Sequence, residues 1–78
     1  MSHQVKVYST PTCPWCKRTK QFLDDNKIAY QNIDVSVDKI ARDEMIAKTG
    51  QIGVPVIEVD SDISVGFDEK WLREKLSL

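Results

Sequence analysis

The chain has 78 residues, of which 41% are hydrophobic and 29% charged, and its formal net charge is −1 at pH 7. A domain of this size has a thin core, since it buries only about 60% of the surface that its unfolded chain exposes. The near-zero net charge argues against nucleic acid and anionic membranes as partners. The start, MSHQVKVYS, lacks the apolar stretch of a signal peptide, and no apolar run approaches the ~20 residues that cross a bilayer. We therefore expect one cytoplasmic domain over residues 1–78.

The first two predicted elements are a strand and a helix. Residues 4–9, QVKVYS, alternate apolar and polar side chains, which is typical of a strand. After a short loop, the apolar spacing predicts a helix over residues 14–26. One side of this helix carries Trp15, Thr19, Phe22 and Leu23.

A second strand and helix follow. Residues 28–35, IAYQNIDV, are rich in β-branched and aromatic side chains and predict a strand. Ser36 is expected to cap the next helix at its start, and Gly50 to follow its last turn. The predicted buried face of this helix consists of Val37, Ile40, Ala41 and Met45.

The remaining pattern predicts a hairpin. Residues 54–60, VPVIEVD, read as a third strand that begins with a proline, and residues 63–65 as a short fourth strand. The Ser-Asp pair at 61–62 between them is a tight-turn signal, so these strands should pair antiparallel.

A last helix completes the chain. Asp68 is expected to cap a helix over residues 69–76, with Phe67 packed on Leu72 as a hydrophobic staple. The predicted order is therefore β-α-β-α-β-β-α. Helical connections favour parallel pairing of the first two strands. We predict an α/β fold in which three helices flank both faces of a mixed four-stranded sheet.

Cys13 and Cys16 lie in the stretch TPTCPWCKR and form a redox couple, part of a metal site, or two buried thiols. Because Pro14 suits the first helical position, Cys13 falls at the N-cap. There its sulfur faces free N–H groups and the positive end of the helix dipole, both of which stabilise a thiolate. Cys16 lies one turn further on the same face, within reach of a disulfide. The pair is predicted to exchange disulfides, with Cys13 as the exposed nucleophile and Cys16 as the buried resolving thiol.

Pro55 is a second, independent signal. A proline that opens an inner strand cannot donate a hydrogen bond to the sheet. A cis Val54–Pro55 peptide beside the cysteines would leave the main chain of Val54 free to pair with a bound peptide. The alternative is an ordinary trans proline at the start of a strand, the more common isomer.

The segments VYSTPTCPWC, VPVI and VGFD resemble the glutaredoxin branch of the thioredoxin-fold superfamily, and the resemblance extends from Val5 to Leu76. It implies the thioredoxin fold, with Cys13 as the nucleophile, Cys16 as the resolving thiol and a cis bond before Pro55. It also implies that Gly66 and Asp68 line a glutathione site. The candidate residues for binding substrate or glutathione are Pro14, Trp15, Val54, Pro55, Gly66, Phe67 and Asp68.

Several positions depart from the pattern of glutathione-binding glutaredoxins. Thr10 stands where that group commonly has lysine, Ile52 where it often has arginine, and Gly53 where it has threonine. Gly66-Phe67 replaces a Gly-Gly pair and is similar to the glutaredoxin-like electron donors of ribonucleotide reductase, which thioredoxin reductase recharges. The resemblance thus implies a small dithiol oxidoreductase that reduces protein or mixed disulfides. Its reductant is a thioredoxin-reductase-type flavoenzyme, or glutathione as a co-substrate. We expect a monomer without a bound cofactor.

Two other functional classes stay open. One is a metal chaperone with Cys-x-x-Cys between its first strand and first helix, and the other is a redox-sensing module that binds a partner without turnover. Such chaperones lack proline between the cysteines and usually carry an upstream methionine, where this chain has Thr12. A tetrahedral zinc site would need two more ligands, and the sequence offers only His3. No metal-binding residue is therefore predicted.

Overall fold

The structure, a computed structural model, describes residues 4–78, and His3 lies outside that range. Within residues 4–78 the elements follow the predicted order β-α-β-α-β-β-α. They are β1 (Val5–Ser9), α1 (Pro14–Asp25), β2 (Gln31–Asp34), α2 (Lys39–Thr49), β3 (Val56–Val59), β4 (Asp62–Val65) and α3 (Glu69–Leu76). No helix in the described range is long and apolar enough to cross a membrane.

The strands of the described residues form one mixed sheet in the order β2-β1-β3-β4. β1 and β2 are parallel, with Val7 beside Asn32. β3 pairs antiparallel with β1, placing Ile57 opposite Val7, and also with β4, placing Ile57 opposite Ser64. The predicted α/β class and strand directions are confirmed.

Successive side chains of β1 and β3 point to opposite faces of the sheet, which divides the core into two clusters. The α1/α3 cluster consists of Val5, Val7, Phe22, Leu23, Ile57, Val59, Leu72 and Leu76. The α2 cluster consists of Tyr8, Val35, Ala41, Met45 and Val56. Helices α1 and α3 therefore cover one face of the sheet and α2 covers the other, as the sequence predicts.

The start of α2 differs from the prediction. Asp38, not Ser36, is the N-cap, and its carboxylate accepts the N–H of Ala41 at 3.0 Å. The N–H of Ser36 instead donates to the carboxylate of Asp34 at 2.9 Å. Aspartate and serine are both good caps, but the Asp34 side chain folds Ser36 into a turn, and the helix begins at Lys39.

The late start of α2 also corrects its predicted buried face. Val37 precedes the helix and is 82% exposed, and Ile40 in the first turn is 75% exposed. Ala41 and Met45 are buried, as their spacing of four residues predicts. Of the four predicted residues, only Ala41 and Met45 therefore contribute to the α2 cluster.

Strand β2 is shorter than the predicted 28–35. The N–H of Ile28 donates to the carbonyl of Leu23 at 2.8 Å, so this residue still belongs to the end of α1. Ile28 and Tyr30 pack against the α1/α3 cluster outside the sheet ladder. Their apolar character serves the core rather than a strand.

Strand β3 is likewise shorter than the predicted 54–60, and the hairpin turn is shifted by one residue. The turn consists of Asp60 and Ser61, because β4 begins at Asp62. Asp60 has a φ of 56°, a left-handed conformation that aspartate tolerates better than most residues. Pro55 lies just before β3 and needs no hydrogen bond of the ladder.

Candidate active site

Helix α1 begins at Pro14, and Cys13 is its N-cap residue, as predicted. The Cys13 Sγ accepts a hydrogen bond from the N–H of Cys16 at 3.1 Å. First-turn N–H groups have no acceptor within their own helix, so the sulfur supplies one. The positive end of the helix dipole therefore lies at the Cys13 sulfur.

The two thiols have different environments. Cys13 is half-buried, whereas Cys16 is 0% exposed, and neither is in a disulfide. Burial, and secondly the hydrogen bond with Cys13, together raise the pKa of the Cys16 thiol to about 11. Cys16 therefore stays protonated near neutral pH, while Cys13 is the sulfur that a substrate can reach.

The segment before β3 meets the cysteines, although it is about forty residues away along the chain. The Cys13 Sγ lies 3.9 Å from the carbonyl oxygen of Val54. The Val54–Pro55 peptide is cis, as predicted. Because the ladder between β1 and β3 begins at Val56, the main chain of Val54 lies outside it. The structure thus places Val54 and Pro55 beside the nucleophile.

Gln51 holds the loop that leads to Val54. Its Nε2 donates to the carbonyl of Gly53 at 3.1 Å, and the N–H of Gly53 donates back to Gln51 Oε1. A Cβ at position 53 would lie 2.6 Å from Oε1, so this arrangement needs glycine. Sequence reasoning missed Gln51. The one sequence feature that could have pointed to Gln51 is Gly53, which stands where the family has threonine.

The segment 66–68 forms a third side of the site. Gly66 has a φ of 92°, which favours glycine, and its N–H donates to the carbonyl of Pro55 at 2.8 Å. Asp68 caps α3, as predicted, with its carboxylate accepting the N–H of Trp71 at 3.1 Å. Gly66 therefore contacts the Val54–Pro55 segment directly, while Asp68 supports the helix that follows.

An aromatic pair connects this segment to the cysteine helix. The rings of Phe67 and Trp15 are 6.4 Å apart, and Phe67 meets Phe22 edge-on at 5.8 Å. Trp15 lies on the same side of α1 as Phe22 and Leu23, but it is 55% exposed. Arg18 lies 5.3 Å from the Trp15 ring centroid. Phe67 packs against the α1/α3 cluster, to which Leu72 belongs.

Within residues 4–78 no group of three or more His, Cys, Asp or Glu side chains is placed to hold a metal ion. A thiol pair at a helix N-terminus, with an open peptide segment beside it, is instead an arrangement for disulfide exchange.

Comparison with known proteins identifies the family. The glutaredoxin sequence model matches residues 5–63. This chain belongs to the glutaredoxin family. Membership in the glutaredoxin family implies the chemistry of a thiol–disulfide oxidoreductase.

Individual glutaredoxins and a glutaredoxin-like protein agree over most of the chain. An uncharacterized glutaredoxin-like 8.6 kDa protein in the rubredoxin operon of Clostridium pasteurianum is 48% identical, covering 83% of this chain and 87% of its own. Glutaredoxin 3 of Escherichia coli K12 is 32% identical, with coverages of 86% and 81%. The crystal structure of an Archaeoglobus fulgidus glutaredoxin superposes with a TM-score of 0.85 at 27% identity, covering 94% and 85%. The predicted thioredoxin fold is thereby confirmed.

Proposed function

We propose that this glutaredoxin is a dithiol electron donor that reduces protein or mixed disulfides through Cys13 and Cys16. One observation carries the proposal. The Cys13 sulfur caps α1 and accepts the Cys16 N–H at 3.1 Å, while the Cys16 thiol is fully buried one turn further along. Two cysteines in such different environments can divide the two steps of disulfide exchange between them.

In the first step the Cys13 thiolate attacks one sulfur of the substrate disulfide. A bond forms between Cys13 Sγ and that sulfur, and the other substrate sulfur leaves as a thiolate. The positive end of α1 favours the charge on Cys13 before attack. The product is a mixed disulfide between the protein and half of the substrate.

In the second step the Cys16 sulfur attacks the Cys13 sulfur of the mixed disulfide. The Cys13–Cys16 disulfide forms, the second substrate sulfur leaves, and the Cys16 proton goes to the leaving thiolate. Two electrons have then passed from the dithiol to the substrate. The raised pKa of Cys16 keeps its proton in place until this step.

Substrate is proposed to bind across the segments that surround Cys13. The main chain of Val54 lies outside the ladder and can pair with an extended peptide. Trp15 and Phe67 offer an apolar surface on the other side of the sulfur. Pro14, Pro55, Gly66 and Asp68 complete the candidate set by shaping these segments.

The reductant is proposed to be a flavoenzyme of the thioredoxin-reductase type rather than glutathione. Glutathione carries two carboxylates, and Thr10 and Ile52 provide no charge where glutathione-binding relatives have it. A charge-assisted hydrogen bond contributes about 1.5–3 kcal/mol, so losing one weakens binding about tenfold or more. Arg18 lies against Trp15, which makes it a poor replacement.

Cysteine variants test the mechanism. With dithiothreitol as reductant and a protein disulfide as substrate, Cys13→Ser should lower the rate to that of dithiothreitol without protein. Cys16→Ser should form a mixed disulfide, visible by intact-protein mass spectrometry, and release it slowly. A redox-sensing module would show no turnover in the wild type. Alkylation of Cys16 in preference to Cys13 in the native reduced protein would contradict the assignment.

The same assay, with two recharging systems, tests the reductant. We expect fast turnover with a thioredoxin reductase and NADPH, and slow turnover with millimolar glutathione and glutathione reductase. Fast, saturable turnover with glutathione, unchanged by adding the other reductase, would show that glutathione is the reductant.

A further inference from the structure

Lys20 lies on α1 one turn after Cys16. Residues four apart in a helix are neighbours on its surface, and each side chain leans towards the helix N-terminus, over the preceding turn. The side chain of Lys20 therefore extends back over the turn that carries Cys16. Lys20 is half-buried, whereas Lys17, the residue after Cys16, is exposed.

The ammonium of Lys20 is not used to hold the fold together. The side chain forms no ion pair or hydrogen bond with any residue in the described range, 4–78. Asp24, one turn further along α1, interacts with the hydroxyl of Tyr30 instead. An unpaired positive charge thus lies beside the turn that carries the buried thiol.

The second step of disulfide exchange requires a charge that the surroundings of Cys16 oppose. A thiolate, not a thiol, attacks a disulfide. Burial, and secondly the hydrogen bond with Cys13, raise the pKa of the Cys16 thiol to about 11. The strand and helix that pack against α1 contribute apolar side chains to the shared cluster, such as Val7 of β1 and Leu72 of α3. Apolar side chains do not stabilise a thiolate.

Two groups lower the pKa of Cys16, and they are the main chain of Thr10 and the charge of Lys20. The charge of Cys13 acts in the opposite direction and raises this pKa. In the mixed disulfide the Cys13 sulfur is bonded to the substrate and carries no charge, so this opposing contribution is lost. Lys20 then favours the Cys16 thiolate at the stage of the reaction that needs it.

We propose that Lys20 is a positioning residue of the resolving step, because its ammonium stabilises the negative charge on the Cys16 sulfur during the attack on the mixed disulfide. The inference rests on the proposed function and assigns a further residue to it. Lys20 keeps its proton throughout. The bond between Cys13 and Cys16 forms as the bond between Cys13 and the substrate sulfur breaks, and the Cys16 proton ends on the leaving thiolate.

A neutral reagent separates the two steps in one stopped-flow trace. The disulfide 4,4′-dithiodipyridine, added in an amount equal to that of the reduced protein, releases one thiopyridone when Cys13 attacks. The attack of Cys16 releases the second. The absorbance of thiopyridone therefore follows the two steps as two phases, and the reagent carries no charge with which a lysine could interact.

We expect Lys20→Gln to slow the second phase about threefold at pH 7 and to change the first phase less than about twofold. A neighbouring opposite charge changes a thiol pKa by about one unit, which alters the thiolate fraction about tenfold. The more basic thiolate is about threefold more nucleophilic, which offsets part of the loss. Lys20→Arg should restore the rate of the second phase, because it keeps the charge.

The matched control is Lys17→Gln, which removes the same charge from the residue next to Cys16 in sequence. Adjacent helical residues do not face each other, so Lys17→Gln should leave the second phase unchanged. Added salt should slow the second phase of the wild type and leave that of Lys20→Gln unaffected. A urea titration of each variant separates a loss of folding from a loss of rate.

The possible failures are distinguishable. A second phase that is unchanged in Lys20→Gln, or that Lys20→Gln, Lys20→Arg and Lys17→Gln slow equally, would overturn the role of Lys20 and leave the two-step exchange intact. Release of a single thiopyridone per wild-type molecule would show that Cys16 does not resolve the mixed disulfide, and would overturn the proposed function as well.

Discussion

The two faces of the sheet are filled to different extents. Of the described residues, eight buried apolar side chains form the α1/α3 cluster, and five form the α2 cluster. On the α2 side, Val37 and Ile40 point into solvent and a cavity reaches Met45. One helix with a late start covers less apolar surface than two helices that cross the opposite face.

The two sides of the active site are therefore packed against cores of different size. Cys13 begins a helix whose Phe22 and Leu23 are anchored in the larger cluster. The loop on its other side, with Ile52 64% exposed, borders the cavity of the smaller one. Regions with few buried contacts open at lower free energy. The nucleophile is therefore firmly held, and the substrate-facing loop is the part that can adapt.

The largest effect on the free energy of unfolding is expected when one core residue on each face of the sheet is truncated to alanine. Leu23→Ala should lower the free energy of unfolding by about 3–4 kcal/mol, because Leu23 is fully buried among close neighbours. Met45→Ala should cost only about 2 kcal/mol, because Met45 already borders a cavity into which its neighbours can relax. Urea denaturation of both variants measures the difference. An equal or larger loss for Met45→Ala would contradict the unequal packing.

The second largest expected effect is a pH dependence of the free energy of unfolding, caused by the ionisation of Cys16. Burial raises its pKa from 9.0 to about 11, so the unfolded chain loses this proton first as the pH rises. Cys16 thus contributes stability that is fully present below pH 9 and is lost as the pH rises through about 11. The full loss amounts to about 2 kcal/mol. Urea denaturation of the reduced wild type and of Cys16→Ala, from pH 8 to pH 11, isolates this component.

Other groups that titrate in this range are common to both proteins, so the difference between the two curves belongs to Cys16. Curves that stay parallel throughout would show that the buried thiol does not resist ionisation. The stability of the wild type relative to Cys16→Ala should fall as the pH rises from 8 to 11, so a relative stability that rises with pH would have the wrong sign.

The smallest expected effect on the free energy of unfolding concerns the N-cap of α2. Asp38→Ala should cost about 1 kcal/mol, because it removes the side-chain acceptor that caps α2. Ser36→Ala should cost less than about 0.5 kcal/mol, since Ser36 lies in the preceding turn on an exposed surface. Thermal unfolding of the pair measures both. A larger loss for Ser36→Ala would restore Ser36 as the cap.

Local signals in the sequence were sufficient where one residue decides the structure. Pro14 has one favourable place in a helix, so the Cys13 cap could be predicted from its neighbour. Asp68 was predicted correctly for a similar reason. Ser36 was predicted wrongly because Asp38 competes for the same helix, and the choice depends on the tertiary position of Asp34.

The rest of the site depends on packing between distant segments. The position of Pro55 left the approach of Val54 to Cys13 as one of two alternatives, and the resemblance to a family favoured it. The cavity at Met45 and Arg42 lies between α2 and three loops, and no local pattern encodes the space that such segments leave between them. The helical spacing of Trp15 did not decide whether its ring is exposed, and the structure leaves it 55% exposed beside Phe67.

The reciprocal hydrogen bonds between Gln51 and Gly53 make these two positions epistatic. A threonine at position 53 would bring its Cβ to 2.6 Å from Gln51 Oε1, so the Gln51 side chain would have to shift and its hydrogen bonds with Gly53 would be disturbed. Replacing Gln51 first would leave an unsupported glycine next to Val54, at the segment that faces Cys13. The two positions are therefore expected to change together along any evolutionary path between this loop and the threonine form of its relatives.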